Sequence, residues 1–316
     1  MLEKGKQLKK EKMSGSNAFV RYSWFVLFWV LLVIAAGGIV RMTQSGMGCP
    51  DWPRCFGMWI PPSDVSQLPV DFEKYLSKQD IDHNFNVYHT WIEYINRLLG
   101  AILGIFIFIY FVWSVIKYRA TEKWIPLLIG GLVLLTGFQG WMGKLVVDAN
   151  LSVVKITLHM LIALLIAAIP LYIIRRIRYE RVMVPAYVKQ AAWVLIGAVL
   201  IQIILGTQVR EEIDIISKNL SYQQRDLWIG ALGVPFYIHR SFSWLILIVS
   251  GYLWFKSKDF TELRLSMNFI MICTITAMLA GIAMNYLDMP AIAQPIHLVV
   301  GSMLFMGAIF FRLRLE

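Results

Sequence analysis

The chain has 316 residues, of which 58% are hydrophobic and only 16% are charged. That composition excludes an ordinary soluble globular domain and favours a membrane protein. The formal net charge is +10. Because the basic residues lie between apolar segments, we expect membrane lipid and no nucleic acid as the partner of this charge.

Eight apolar segments are long enough to form membrane-spanning helices, which need about 20 residues each. In chain order the segments are residues 22–41, 88–116, 124–147, 152–174, 190–210, 234–255, 266–286 and 292–311. The sequence therefore predicts an all-α membrane protein with eight transmembrane helices.

Basic residues occupy one side of the predicted spans. They precede the first span, fill the connections after the second, fourth and sixth spans, and end the chain. Connections rich in Lys and Arg remain in the cytoplasm. We therefore predict that both termini are cytoplasmic and that the long loop 42–86 lies on the opposite, outer side.

Three short motifs recur in the same order in both parts of the chain. The matched pairs are GGIVR at 37–41 with GTQVR at 206–210, YINR at 94–97 with YIHR at 237–240, and TLHMLIALLI at 157–166 with PIHLVVGSML at 295–304. The repeat predicts two four-helix halves, residues 1–180 and 181–316. Each half begins and ends on the same side, so the repeats are parallel and related by an axis along the membrane normal.

Three histidines, His159, His239 and His297, lie inside predicted spans near their outer ends. An ionisable group inside a membrane is costly and indicates a functional site, although an inter-helix hydrogen bond is the alternative for any one of them. Neutral imidazole is a good iron ligand, so His239 and His297 together indicate the axial pair of a b-type heme. Zinc fits less well, because the second half has no Cys or carboxylate at the same depth.

The first half repeats this pattern with one change. His159 matches His297, whereas Asn96 stands where the second half has His239. Asparagine is a poor iron ligand. His89 lies seven residues before Asn96, two helical turns earlier on the same helix face.

Glu93 lies between His89 and Asn96, so the three residues form one polar stripe that we expect to face the helix bundle. Arg97 follows Glu93 at i+4 and can form an ion pair with it. The sequence leaves two interpretations of Glu93 open: a catalytic group in the stripe, or a simple salt bridge at the membrane interface.

Four arginines recur near the outer ends of the spans: Arg41, Arg97, Arg210 and Arg240. Guanidinium groups bind carboxylates with two parallel hydrogen bonds, which suits the propionates of a heme. Ordinary snorkelling to the membrane surface is the alternative, above all for Arg41 and Arg210.

The outer loop contains the segment GMGCPDWPRCFG, in which five residues separate Cys49 from Cys55. Because this loop faces the oxidising side, we expect a disulfide bond. The sequence leaves open whether the bond is redox-active or a structural link.

These motifs together resemble the heme A synthase family, membrane enzymes of terminal-oxidase assembly. The resemblance rests on GGIVRMTQSGMGCPDWPRCFG, IEYINR, YIHR and the histidines of the fourth and eighth spans, and it covers nearly the whole chain. It implies two pseudo-symmetric four-helix halves. It also implies an oxidoreductase that converts a methyl group of heme O to the formyl group of heme A.

The resemblance also implies roles for individual residues. His239 and His297 would bind a heme b cofactor in the second half, with Arg210 and Arg240 beside it. In the first half, the substrate heme O would lie near His159, with His89, Asn96, Arg97 and Arg41 around it and Glu93 as the catalytic residue, and Cys49 and Cys55 would be the family's loop pair.

One position departs from the family pattern, which usually has His where this chain has Asn96. Either His159 alone holds the substrate iron, or His89 takes the place of the missing ligand. A third interpretation, loss of the methyl oxidation, is opposed by the presence of Glu93, His159 and the cysteine loop.

The resemblance places the chain in the bacterial inner membrane and implies a heme O synthase and a terminal oxidase as partners. The electron donor and the oligomeric state, a homo-oligomer included, are left open. The alternative function is a non-catalytic membrane heme b carrier or an electron-transfer cytochrome, which needs the histidines but not Glu93. A transporter is the weaker third interpretation, because transporter sites lie near the midplane of the membrane.

Overall fold

The computed structural model describes residues 2–76 and 84–316, and this part of the chain is helical apart from turns, loops and two isolated β-bridges. It contains ten α-helices and one short 3₁₀ turn at Val65–Gln67. The α-helices are α1 (Leu2–Met42), α2 (Glu73–Leu76), α3 (Val87–Tyr118), α4 (Trp124–Asp148), α5 (Val153–Arg178), α6 (Ala186–Asn219), α7 (Arg225–Gly230), α8 (Val234–Ser257), α9 (Thr261–Tyr286) and α10 (Ala293–Leu313).

Seven of the described helices are long and apolar enough to cross a membrane, so the chain is a multi-pass membrane protein. They are α3, α4, α5, α6, α9, α10 and the part of α1 from Asn17 to Met42. The remaining predicted span, residues 234–255, coincides with α8. That helix is not one of the seven, because His239, Arg240 and several serines make it less apolar. Its crossing of the membrane stays a prediction.

Apolar side chains cover much of the outer surface of these helices. Phe28 of α1, Ile105 of α3, Leu134 of α4, Ile248 of α8 and Leu279 of α9 are all more than half exposed. A soluble monomer rarely exposes so much apolar surface. Membrane lipid is therefore the natural environment of this surface.

The helices pack in two closed rings of four. In the first ring, α1 and α4 each contact α3 and α5; in the second, α6 and α9 each contact α8 and α10. The rings meet where α10 contacts α1 and α5, and where α5 contacts α6. A shared apolar core, with Phe19, Tyr110, Ile173, Leu195 and Phe311 among its fully buried members, joins them.

The first turn of α3 is fixed by a side-chain cap. The Asn86 carboxamide oxygen accepts hydrogen bonds from the backbone N–H groups of Tyr88 and His89, at 2.9 and 3.2 Å. Asparagine is among the preferred residues for this position. Since the cap sets where α3 begins, it also sets the height of Glu93 and Asn96 on that helix.

Candidate functional site

A cavity of about 640 Å³ lies within the second ring of helices. All four helices of that ring line it, through Gly206 of α6, His239 of α8, Gly281 of α9 and His297 of α10, among others. Most of the remaining lining is apolar. Such a cavity suits a large flat apolar molecule with a few polar contacts.

Two imidazole rings stand close together in this cavity. The ring centres of His239 and His297 are 6.1 Å apart, and the ring planes are inclined by 65°. For two imidazoles on opposite sides of one metal ion, two metal–nitrogen bonds of about 2.0–2.1 Å each and the two ring radii add to a ring-centre separation of roughly 6 Å. The observed separation therefore fits a single metal ion between the two rings.

Hydrogen bonding supports the same interpretation. Nδ1 of His297 is 2.9 Å from the carbonyl oxygen of Ala277, and a metal-binding histidine usually donates its other ring N–H in this way. His239 lacks such a contact, because its buried Nδ1 has no hydrogen-bond partner among the described residues. Among the side chains that the structure describes, no three His, Cys, Asp or Glu residues come together as a metal-binding group. The pair therefore fits a porphyrin iron, which needs only two protein ligands, better than zinc.

A polar cluster lies at the wall of the same cavity. Arg41 of α1 and Arg210 of α6 both line the cavity, and their guanidinium groups pair with the two carboxylate oxygens of Asp214, at 2.7 and 2.8 Å. Arg210 also donates to the side-chain oxygen of Gln294 and to the backbone oxygen of Arg41. Arg240 lines the cavity too, with its guanidinium 5.7 Å from the ring centres of two aromatic residues on its own helix.

This cluster corrects one prediction and adds two residues. Arg41 was predicted on the side of the first half, but it lies at the cavity of the second half, because α1 packs against α10 across the interface between the rings. Asp214 and Gln294 were missed. Asp214 follows Arg210 at i+4, a spacing that could have indicated the ion pair.

Glu93 lies under the cysteine loop, and only 3% of its surface is exposed. One carboxylate oxygen, Oε2, accepts a hydrogen bond of 2.7 Å from the backbone N–H of Cys49. The other, Oε1, accepts hydrogen bonds from Nε and Nη2 of Arg97, the first at 3.0 Å. Both oxygens are therefore engaged by the protein itself.

Arg97 uses all of its hydrogen-bond donors inside the chain. A guanidinium group has five N–H donors. Two of them bind Glu93, and the other three bind the backbone oxygens of Cys49, Asp51 and Arg54 at 2.6, 2.5 and 3.1 Å. The prediction that Arg97 binds a propionate of the substrate heme is therefore not supported, because the contacts within the described residues leave no donor for it.

The cysteine loop is seated directly on the first turn of α3. Cys49 and Cys55 are joined by a disulfide bond and are fully buried. Thr90 donates a hydrogen bond of 2.9 Å to the backbone oxygen of Gly48. A Cβ atom at Gly48 would lie 2.3 Å from the carbonyl carbon and oxygen of His89, so only glycine fits at this contact.

In the first ring, His159 lies beside a glycine of the preceding helix, as His297 does in the second ring. The ring of His159 lies near Gly143, where a Cβ atom would be 3.5 Å from it; Gly281 stands in the same relation to His297, at 3.6 Å. Nδ1 of His159 and Oδ1 of Asn96 are both buried without a hydrogen-bond partner in the described part of the chain. No described residue therefore satisfies either atom.

The predicted stripe on α3 is therefore divided between two environments. Glu93 is held by the cysteine loop, whereas the carboxamide oxygen of Asn96 has no such contact with the described residues. His89 is partly buried beside Gly48 on the first turn of the helix.

Comparison with known proteins identifies the family. The model of the family described as cytochrome oxidase assembly protein (COX15-CtaA) matches residues 20–309. The chain belongs to this family. The resemblance seen in the sequence motifs is thereby confirmed.

Several relatives carry the name heme A synthase. The chain is 27% identical over 286 residues to that of Flavobacterium johnsoniae, covering 77% of this chain and 83% of the relative. It is 25% identical over 345 residues to that of Nitrosomonas eutropha, covering 93% and 95%. For that of Methylorubrum extorquens strain PA1 the identity is 33% over 205 residues, and the match spans about half of the relative, 52%, and 58% of this chain.

Proposed function

We propose that this chain is an oxidoreductase that converts a methyl group of heme O to the formyl group of heme A, for assembly of a terminal oxidase. Membership of the cytochrome oxidase assembly family and the name of its relatives support the proposal. The observation that carries it is the pair of imidazoles, His239 and His297, 6.1 Å apart in an apolar cavity.

The proposed architecture has eight spans in two parallel four-helix halves, residues 1–180 and 181–316. The matching order of contacts in the two rings supports it, since α1, α3, α4 and α5 pack as α6, α8, α9 and α10 do. In this arrangement α8 completes the set of eight spans. The proposed location is the bacterial inner membrane with both termini in the cytoplasm, as the basic connections indicate.

The proposed cofactor is heme b, held by His239 and His297. When bound it would supply one-electron transfer between the substrate side and an external partner. Three arginines lie around the proposed heme site. Arg41 and Arg210 offer positive charge to the heme propionates at the wall of the cavity. The buried Nε of Arg210 has no partner among the described residues. Arg240 lies at the same cavity.

The proposed substrate side is the first half, where His159 would bind the iron of heme O. The geometry supports a positioning role for Glu93, because its carboxylate holds Cys49 and Arg97, and through them the disulfide loop at the outer end of this half. A loop fixed in this way would keep water from the reacting face.

Pigment extraction tests the proposal against the carrier alternative. The chain is expressed with a source of heme O, purified, and its hemes are extracted and counted by the pyridine hemochrome method. Heme A in the extract is expected for the wild type and is lost in His159→Ala, which should keep heme b. Heme b alone in the wild type would instead support a carrier or electron-transfer cytochrome. A colourless wild-type protein would refute both.

A further inference from the structure

We propose that Asn96 marks a binding site for a small neutral diatomic ligand on the porphyrin iron of the first half. The site would lie between that iron and the Asn96 carboxamide, on the face opposite His159. This inference rests on the proposed function, because it needs a porphyrin held by His159.

The internal repeat places Asn96 where a second iron ligand would stand. Asn96 and His239 occupy the third position of the same motif, Tyr-Ile-X-Arg, and His159 corresponds to His297. In the second half the two matched positions are both imidazoles, 6.1 Å apart. In the first half only one of the two matched positions, His159, is an imidazole. The porphyrin iron proposed there would therefore have one strong protein ligand.

The glycine that lies against the His239 ring has a match in the first half that makes no such contact. A Cβ atom at Gly206 of α6 would lie 3.2 Å from the ring of His239. The matching glycine of α1 is Gly37, and a Cβ atom there would have no neighbour within 4 Å among the described residues. Because α1 contacts α3 as α6 contacts α8, the proposed gap is the place beside Asn96 that the missing ring would take.

His89 does not fill this gap. It precedes Asn96 by seven residues, which places it about 10 Å nearer the outer end of α3. Its backbone there is in close contact with Gly48 of the cysteine loop. Asn96, and not His89, is therefore the residue of α3 that would lie beside the porphyrin iron.

The Asn96 side chain is suited to a bound ligand rather than to the metal itself. Its Oδ1 is buried and has no hydrogen-bond partner in the described part of the chain, so no strong contact of that oxygen fixes the carboxamide. Asparagine has two N–H donors and binds iron poorly. Donors on the open side of a porphyrin iron decide which small molecules bind there. A neutral diatomic molecule fits both the gap and the donor.

Carbon monoxide is the probe for this site. The purified full-length chain, loaded with heme O and reduced, is titrated with carbon monoxide while the Soret band and the infrared C–O stretch are recorded. The wild type is expected to bind one carbon monoxide per chain. The second-half heme is expected to bind none, because its two imidazoles occupy both axial positions.

Matched substitutions at the two repeat positions give the decisive comparison. Asn96→His is expected to lower the carbon monoxide affinity roughly tenfold or more, since the new imidazole must leave the iron first. Asn96→Leu is expected to keep the affinity within the same range but to shift the C–O stretch, because the amide donor is lost. His239→Asn, the reciprocal change, is expected to raise the stoichiometry to two.

The outcomes separate this inference from the proposed function. A wild type that holds two porphyrins but binds no carbon monoxide overturns the inference alone, as does an Asn96→His variant with unchanged affinity. A wild type that holds only one porphyrin overturns the proposed substrate site itself. Counting porphyrins by hemochrome in every variant shows which of these cases applies.

Discussion

Arg97 holds the disulfide loop closed, and its replacement should expose the disulfide to reductants. Arg97→Met keeps the apolar stem but removes all five hydrogen bonds that the guanidinium makes. Three of these bind loop backbone oxygens. The other two neutralise Glu93, which would be left as a buried carboxylate with the backbone N–H of Cys49 as its remaining partner.

The size of the effect follows from these contacts. A hydrogen bond to a charged group contributes about 1.5–3 kcal/mol, and removal of one partner of a buried ion pair costs about 3–5 kcal/mol. Because the contributions share one side chain, we do not add them and expect the free energy of loop opening to fall by about 3–5 kcal/mol. Since 1.4 kcal/mol corresponds to a tenfold change, the fraction of open loops should rise by a factor of about 10² to 4 × 10³.

The rate of disulfide reduction measures loop opening, because Cys49 and Cys55 are fully buried in the closed loop. Purified protein is exposed to limiting dithiothreitol, and free thiols are trapped with a maleimide that shifts the band on a gel. All variants carry Cys273→Ala, which removes the one free cysteine of the described residues from the signal. Arg97→Met should be reduced faster than the parent by a factor of about 10² to 4 × 10³.

Two companion variants make this prediction specific. Arg54→Met changes an exposed arginine of the same loop and should alter the rate only a few-fold, as surface substitutions do. Adding Glu93→Gln to Arg97→Met should recover part of the lost protection, because no unpaired charge then stays buried. If Arg97→Met is reduced at the rate of the parent, the arginine does not hold the loop and the reasoning is wrong.

Two further substitutions test other contacts of the site. Gly48→Ala should speed reduction of the same disulfide, because its Cβ would meet the backbone of His89 at 2.3 Å and lift the loop; Gly100→Ala, on the helix beneath the loop and with no described atom within 4 Å of its Cβ, is the control. Asp214→Asn should raise the reduction potential of the second-half heme, since two cavity guanidinium groups lose their anionic partner. A redox titration that finds an unchanged or lower potential would contradict the second prediction.

The apolar pattern predicted the long helices well because each helix must be apolar over most of its length to meet lipid. Seven predicted spans coincide with described helices of sufficient length and hydropathy. The region 234–255 is a helix too, but the residues predicted to form a site there, His239 and Arg240, make it more polar. A site inside a span thus weakens the very signal by which spans are recognised.

The internal repeat predicted which polar residues would meet in the second half but not all of their neighbours. His239 and His297 lie together as expected. Arg41 could not be placed correctly, because its partner Asp214 belongs to the other half and their contact depends on how the two rings pack. A pattern within one helix carries no information about such an interface.

Arg97 shows a different limit of sequence reasoning. The i+4 spacing correctly indicated its ion pair with Glu93. Its remaining partners are backbone oxygens of the cysteine loop, which every residue type possesses. No side-chain pattern could identify these acceptors, and a charged residue near a predicted ligand was therefore assigned to the ligand.

Arg97 and Arg240 are matched residues of the repeat, yet their surroundings differ because the connections between helices differ. The connection from α1 to α3, residues 43–86, includes the disulfide loop that encloses Arg97. The connection from α6 to α8 is much shorter, residues 220–233, and Arg240 is exposed at the cavity. The arginine of the shared motif is therefore enclosed by the disulfide loop in the first half, whereas in the second half it lines the cavity. Together with the exchange of His for Asn at position 96, this difference supports the proposal that the two halves have separate functions on one backbone plan.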